Sequence, residues 1–319
     1  IGDPSRWEHL DGYGVGTSLL VSFPNVDISQ MASERDMAPS LEDDSQTVWL
    51  EVDDSGNVVR RIPHWAELDK MEDDPTEQTM FVRSGVILEE NTRYVVALRN
   101  LEDTDGNPIE RSEAFQKLVE GNTDDDPVLG DRQARFDEIF SILESEGFAT
   151  ESLTLAWDFV TYSSDGVHGR MLTTRDRGLE IVGPEGPEIT IPDGGIEVNT
   201  EEEDDEWWLE IEGRFRTPRF MKTTIIEAQQ AREFHLDENG DPSQNDDEAD
   251  GPIWRNPKVW INVPHSAKSG DPHGLVQYGH GLMGTGAQTG GDDRGRIAND
   301  YQLIFFGCSL AGMSTQDVT

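Results

Sequence analysis

Apolar residues recur at two different periods along this chain, and the changes of period mark where strands give way to helices. The stretches "SLLVSFPN" (Ser18–Asn25) and "TVWLEVDDSGNVVRRI" (Thr47–Ile62) have strand character, with side chains pointing alternately to opposite faces. The second predicts a hairpin, because its tip, Asp54-Ser55-Gly56-Asn57, supplies residues that tolerate positive φ. In "GVILEENTRYVVALRNLEDTDGNPI" (Gly85–Ile109), Tyr94, Val96 and Leu98 alternate against Val95, Ala97 and Arg99 before a turn at Asp103–Asn107. The period then lengthens. "SEAFQKLVEG" predicts a helix capped by Ser112, and "DRQARFDEIFSILESEGF" sets Phe136, Ile139, Phe140 and Leu143 on one helical face, with Gly147 as the stop. "SLTLAWDFVTYS" (Ser152–Ser163) returns to strand.

From Pro184 to Glu206 the composition shifts to Pro, Gly and the run "TEEEDDE", which cannot bury itself and predicts a boundary or exposed loop. The expected organisation is a mixed accessory module over 1–195, an acidic linker or loop over 196–206 and a second domain over 207–319. In that second domain "WWLEIEGRFRTP", "PKVWINVP", "GLVQYGHG" and "YQLIFFGCSLAGMS" read as strands. The last two are nearly uninterrupted apolar runs, the pattern of strands covered on both faces in an α/β sheet.

Charge narrows the choice of partner. With 65 Asp+Glu against 25 Lys+Arg, the net charge of −40 would repel a phosphate backbone, so nucleic acid is excluded as a partner. A shell this acidic keeps a protein soluble in salt-rich water and suits a saline habitat. No apolar stretch reaches the roughly 18 to 20 residues that span a bilayer, and the first residues lack signal-peptide character. The single Cys308 permits no intrachain disulfide. Because the chain begins at Ile1 and stops just after an apolar strand, it is expected to be a piece of a longer protein.

The chemistry centres on "GLVQYGHGLMGTG" (Gly274–Gly286), where a strand ends in a histidine set between glycines. Glycine at a strand end lets the backbone approach a ligand that side chains would otherwise block. The stretch "VQYGHGLMG" is similar to the loop after the third strand of α/β-hydrolases, which donates a backbone N–H to the oxyanion of the tetrahedral intermediate. "TRYVVALRNLEDTDGNPI" resembles the last hairpin of bacterial Ig-like domains. "PHWAELD" (Pro63–Asp69), "RYVVALRNL", "LAWDF", "YGHGLMG" and "GMSTQD" (Gly312–Asp317) follow in order along the chain. Together they resemble secreted bacterial α/β-hydrolases of the virulence-factor-lipase type with an Ig-like N-terminal region.

That resemblance implies an α+β module of Ig-like strands and two helices, followed by the first strands of an incomplete α/β-hydrolase domain. It also implies an ester or lipid-like substrate, no cofactor, no catalytic metal, and a bacterial location that is secreted, periplasmic or at the cell surface. The accessory module would shape or cover the substrate entrance. By residue, only Gly279, His280, Gly281 and Leu282 carry over, as the oxyanion loop.

No Gly-x-Ser-x-Gly elbow occurs in the sequence. Ser309, in "GCSLAG", has the small neighbours an elbow needs, but only ten residues follow it and none is His. The triad is therefore expected beyond Thr319 and the piece itself to be inactive, with Ser309 a strand end. The Asp-rich turns "DENGD" (Asp237–Asp241) and "DTDGN" offer oxygen ligands for Ca²⁺, but their spacing is not that of an EF-hand, so hairpin turns are the reading. His265, His273 and His280 are too widely spaced for a metal cluster, and Asn245–Asp250 reads as a solvated loop. The rival from another class is a non-catalytic, acidic extracellular Ig-like binding module stabilised by Ca²⁺.

Overall fold

The segment Thr47–Val52 (β2), which alternation marks as a strand, is buried at every position, so both of its faces are covered. In the computed structural model, which describes residues 10–199, 206–222, 233–248, 253–310 and 313–314, β2 lies inside a four-stranded antiparallel sheet. Its neighbours are Val58–Arg61 (β3) and Arg93–Arg99 (β6), and β6 pairs in turn with Leu153–Val160 (β7). A second antiparallel sheet holds Ser18–Ser22 (β1), Thr79–Ser84 (β5) and His64–Leu68 (β4), in the order β1-β5-β4. Trp49, Tyr94, Val96, Leu98 and Phe159 point from the first sheet into a core shared with Leu19, Ala66, Met80 and Val82 of the second. The opposite face of the first sheet, with Val48, Leu50, Val95 and Ala97, packs against helices Glu113–Glu120 (α1) and Pro127–Ser145 (α2). Three layers result: sheet, sheet and helices.

Local sequence sets the helix ends. The Ser112 side chain accepts from the Phe115 amide at the start of α1, a cap worth about 1 kcal/mol. Gly121, at φ 65°, ends the helix in the left-handed region that glycine enters without penalty. Asp126 caps α2 and Pro127 fills its first position, so the helix starts ahead of Asp131, where the apolar pattern begins. Ile139, Phe140 and Leu143 are buried, as their spacing predicts. Asp158 on β7, its side chain only 4% exposed, binds Arg93 at 2.8 Å and Arg135 of α2 at 2.7 Å, tying helix to sheet.

The chain divides into two compact units, 1–169 and 170–319, earlier than the border expected around 196–206. The second opens with Arg170–Val182 (α3), a helix that buries none of its residues and that the apolar pattern does not mark. Its Arg177 reaches Asp237 at 2.8 Å and the Pro242 carbonyl at 2.7 Å. Ile189–Thr190 (β8) and Ile196–Val198 (β9) both pair with Trp207–Phe215 (β10), so two short pieces of the segment expected to be loop join the sheet. Nearly all of the acidic run "TEEEDDE" lies outside the described residues. Thr217–Pro218 (β11) and Trp254–Arg255 (β12) form a separate pair.

The main sheet continues from β10 to Lys258–Pro264 (β13), then Leu303–Cys308 (β15) and finally Gly274–Gln277 (β14). All its pairs are antiparallel except β14 with β15, which run parallel because helix Asp292–Tyr301 (α4) carries the chain back between them. Trp207, Ala298 and Phe305 make a small core between this sheet and α4. The opposite face carries an apolar groove of about 350 Å³, lined by Ile189, Phe215, Ile261, Leu275, Ile304 and Phe306. The expectation that the last two strands are covered on both faces is thus corrected: the parallel pair is covered by α4 on one side and open on the other. The exposed edge is β14, where Leu275 is 72% exposed, and Leu303–Cys308 is an inner strand. The architecture is mixed α+β, with strands mostly in antiparallel sheets and four α-helices among the described residues.

Candidate active site

The Gly279–Leu282 loop begins where the parallel ladder ends. Tyr278 still donates its amide to the Phe306 carbonyl at 2.8 Å, and the chain then turns, closed by the Gly284 amide on the Gly281 carbonyl at 2.9 Å. Met283 takes φ 60°, unusual for a residue with a side chain, and its amide donates to the Met313 carbonyl at 2.7 Å. Gly284 and Ser314 form an isolated parallel bridge. The loop after β14 and the chain after β15 are therefore laced together.

His280 completes the lacing. The ring is buried, its Nδ1 lies 2.7 Å from the Gly281 carbonyl, and its Nε2 accepts the Leu310 amide at 2.8 Å. A carbonyl oxygen only accepts, so Nδ1 carries the proton and the ring is neutral. With both nitrogens occupied, His280 holds the loop in shape and has no lone pair left for proton transfer.

Among the described residues, the amides of Gly279, His280, Gly281 and Leu282 have no hydrogen-bond acceptor. Leu282 is 73% exposed while His280 is buried, so the segment runs along the surface with its histidine turned in. The Arg294 guanidinium stacks 4.7 Å over the Tyr278 ring at the base of the loop and adds positive charge there. Chemically, the arrangement can bind an anion or a developing oxyanion through neutral backbone donors.

A buried polar chain fixes the next segment. Thr289 Oγ1 donates to Asn262 Oδ1 at 2.6 Å, and Asn262 and Asn199 donate to the two Glu210 oxygens at 3.4 and 3.0 Å. Trp207 Nε1 donates to the Gly290 carbonyl at 3.0 Å. These residues escape sequence reading, although Asn262, a polar position inside the apolar run "KVWINVP", is the signal that could have drawn attention to them.

Ser309 Oγ accepts the Gly286 amide at 3.4 Å and has no histidine partner among the described residues. Nothing there would activate it as a nucleophile. Burial pushes the neighbouring Cys308 thiol up, keeping it protonated. His265, His273 and His280 do not converge, and no group of His, Cys, Asp and Glu suited to a metal occurs among the described residues.

The Asp-rich turns share one geometry. Asp53 Oδ1 accepts the amides of Ser55 and Asn57, Asp103 those of Asp105 and Asn107, and Asp237 those of Asn239 and Asp241. These bonds hold all three carboxyls below the usual carboxylate range: the Asn57 and Asn107 side chains act most strongly on Asp53 and Asp103, and the Asp241 amide on Asp237. Each carboxylate thus commits Oδ1 to the amides of its own turn. Of the acidic tract Asn245–Asp250, the last two residues lie outside the described residues, as do most of "GMSTQD".

No family model matches the chain, and no curated protein and no solved structure is similar to it. Among the described residues no helix is long and apolar enough to cross a membrane.

Proposed function

We propose that the second unit carries the oxyanion loop of a serine hydrolase that cleaves a carboxylic ester through an acyl-enzyme. Gly279, His280, Gly281 and Leu282 are its anion-binding segment, and the serine, acid and histidine of the triad lie outside these residues. One observation carries the reading: the Gly279–Leu282 amides, free of described acceptors, sit between β14 and α4. In the hydrolases this sequence resembles, an oxyanion donor comes from a loop between a strand and the following helix. One such donor is worth about 3 to 4 kcal/mol in the transition state.

In this reading His280 is a positioning residue and the first unit is an Ig-like accessory module. The lipid or polyester-like nature of the substrate, and a bacterial secreted or surface location, rest on the resemblance alone. The calcium-stabilised binding module has less support, because Asp53, Asp103 and Asp237 each commit Oδ1 to backbone amides. Sequencing the coding region past Thr319 is the test. A strand-elbow serine followed by an acid and a histidine is expected, and a stop codon directly after Thr319 would overturn the proposal.

A further inference from the structure

Ser266 and His273 are seven positions apart, yet the connection from β13 to β14 folds back and brings Ser266 Oγ to 3.0 Å from His273 Nε2. The other ring nitrogen, Nδ1, lies 2.8 Å from the Asp271 carbonyl oxygen. Because that oxygen can only accept, Nδ1 carries the proton and Nε2 offers its lone pair to the serine hydroxyl. The serine is held as firmly as the ring. Its amide donates to Asn299 Oδ1 at 3.0 Å, and Asn299 Nδ2 is anchored on the Gly295 carbonyl of α4 at 3.0 Å. Ser269 Oγ donates to the Ser266 carbonyl at 3.0 Å. Both residues are half-buried, so neither is sealed in the core.

This is the relation that activates serine nucleophiles: a hydroxyl within hydrogen-bond reach of a base whose tautomer is fixed by a third group. It stands at the start of β14, whereas the Gly279–Leu282 loop follows the end of that strand, so the two places lie at opposite ends of the sheet. We propose that Ser266 and His273 form a nucleophilic dyad that takes the acyl group of an activated carboxylic ester. Ser266 Oγ bonds to the carbonyl carbon as its proton passes to His273 Nε2. The ester C–O bond then breaks, and the leaving alcohol takes that proton. Water attacks the acyl-serine, His273 accepts a proton from it and returns one to Oγ, and the acid departs.

The orienting group is a neutral carbonyl and not a carboxylate, which sets the substrate class. A carbonyl fixes the productive tautomer but brings no negative charge to stabilise the imidazolium that forms, as the triad carboxylate does. The dyad therefore acts on esters with good leaving groups. The net charge of −40 favours uncharged over anionic ones.

The test is to treat the intact folded chain with an alkyl fluorophosphonate and map the adduct by peptide mass spectrometry. Oγ–P bond formation displaces fluoride, and the serine proton leaves through His273. The label is expected on Ser266, absent in Ser266→Ala, and formed at least 100-fold more slowly in His273→Gln with the melting temperature unchanged. A folded wild-type chain that leaves Ser266 unlabelled, or that is labelled at Ser309 instead, overturns the proposal, as does an unchanged rate in folded His273→Gln. If either variant fails to fold, the wild-type map decides alone. Because the readout is the modified residue, the outcome is independent of the oxyanion-loop reading.

Discussion

The Leu310 amide donates a 2.8 Å hydrogen bond to His280 Nε2, joining two loops thirty positions apart in sequence. This side chain adds to the Met283–Met313 bond and the Gly284–Ser314 bridge that already tie the turn after β14 to the chain after β15. Replacing it with alanine removes the acceptor of a partly buried amide and takes one of two donors from the Gly281 carbonyl, which keeps the Gly284 amide.

His280→Ala should therefore lower stability by about 1 to 3 kcal/mol, the usual cost of stranding such groups. Urea denaturation measures this directly, and hydrogen exchange at the Leu310 amide should speed up in the same variant. An unchanged midpoint would mean that the loops hold together without the ring.

His64 poses the opposite problem. It is fully buried, with Nδ1 2.7 Å from the Ile62 carbonyl and Nε2 2.8 Å from Thr47 Oγ1. Desolvation pushes its pKa down, outweighing the upward pull of the Ile62 carbonyl. The unfolded chain therefore takes up this proton first. The contribution of His64 is fully present above the unfolded value of about 6.5 and is lost as pH falls below it. The urea midpoint should decline between about pH 6.5 and 5, above the range where the depressed carboxyls Asp53, Asp74 and Asp103 begin to protonate. In His64→Gln that decline should flatten, whatever the variant's overall loss of stability. An equally steep slope would place the acid sensitivity elsewhere.

The Asp-rich turns, whose carboxylates each commit Oδ1 to backbone amides, lead to a third expectation. Added CaCl₂ should move the melting temperature no further than a sodium salt of matched ionic strength. In Gly106→Ala, where φ is 80°, stability should fall by about 1 to 2 kcal/mol through left-handed strain. A calcium-specific rise of several degrees would instead indicate a bound ion and favour the binding-module reading.

What could be read in advance followed the range of the interactions. The face of α2, the Ser112 cap and the alternation of β6 are local patterns, and all three are present in the structure. The pairing of β4 with β5 was hidden because the polar stretch between Leu68 and Thr79 carries no apolar period. The double burial of β2 depends on helices more than sixty residues further on. α3 buries nothing, so its apolar residues make no stripe to read. At the candidate site the glycines around His280 were visible, whereas its bond to Leu310 and the Thr289–Asn262 contact are products of folding. Ser266 and His273 were legible as residue types but not as a pair, since only the turn at Asp271 brings them within reach.

The last expectation concerns salt. Acidic groups outnumber basic ones 65 to 25, so the folded chain repels itself more than its ion pairs can offset. Raising ionic strength from 0.1 to 1 M shortens the screening length from about 10 to about 3 Å, which weakens attraction and repulsion alike at the surface. What is lost is small: exposed pairs such as Arg83 with Glu67 contribute at most about 1 kcal/mol each. The better-shielded bond of Asp158 to Arg93 is screened less than these. Relief of repulsion should dominate, and the urea midpoint should rise across this range, by similar amounts in NaCl and KCl. A midpoint that falls would show that the ion pairs, and not the excess of carboxylates, control the stability of the fold.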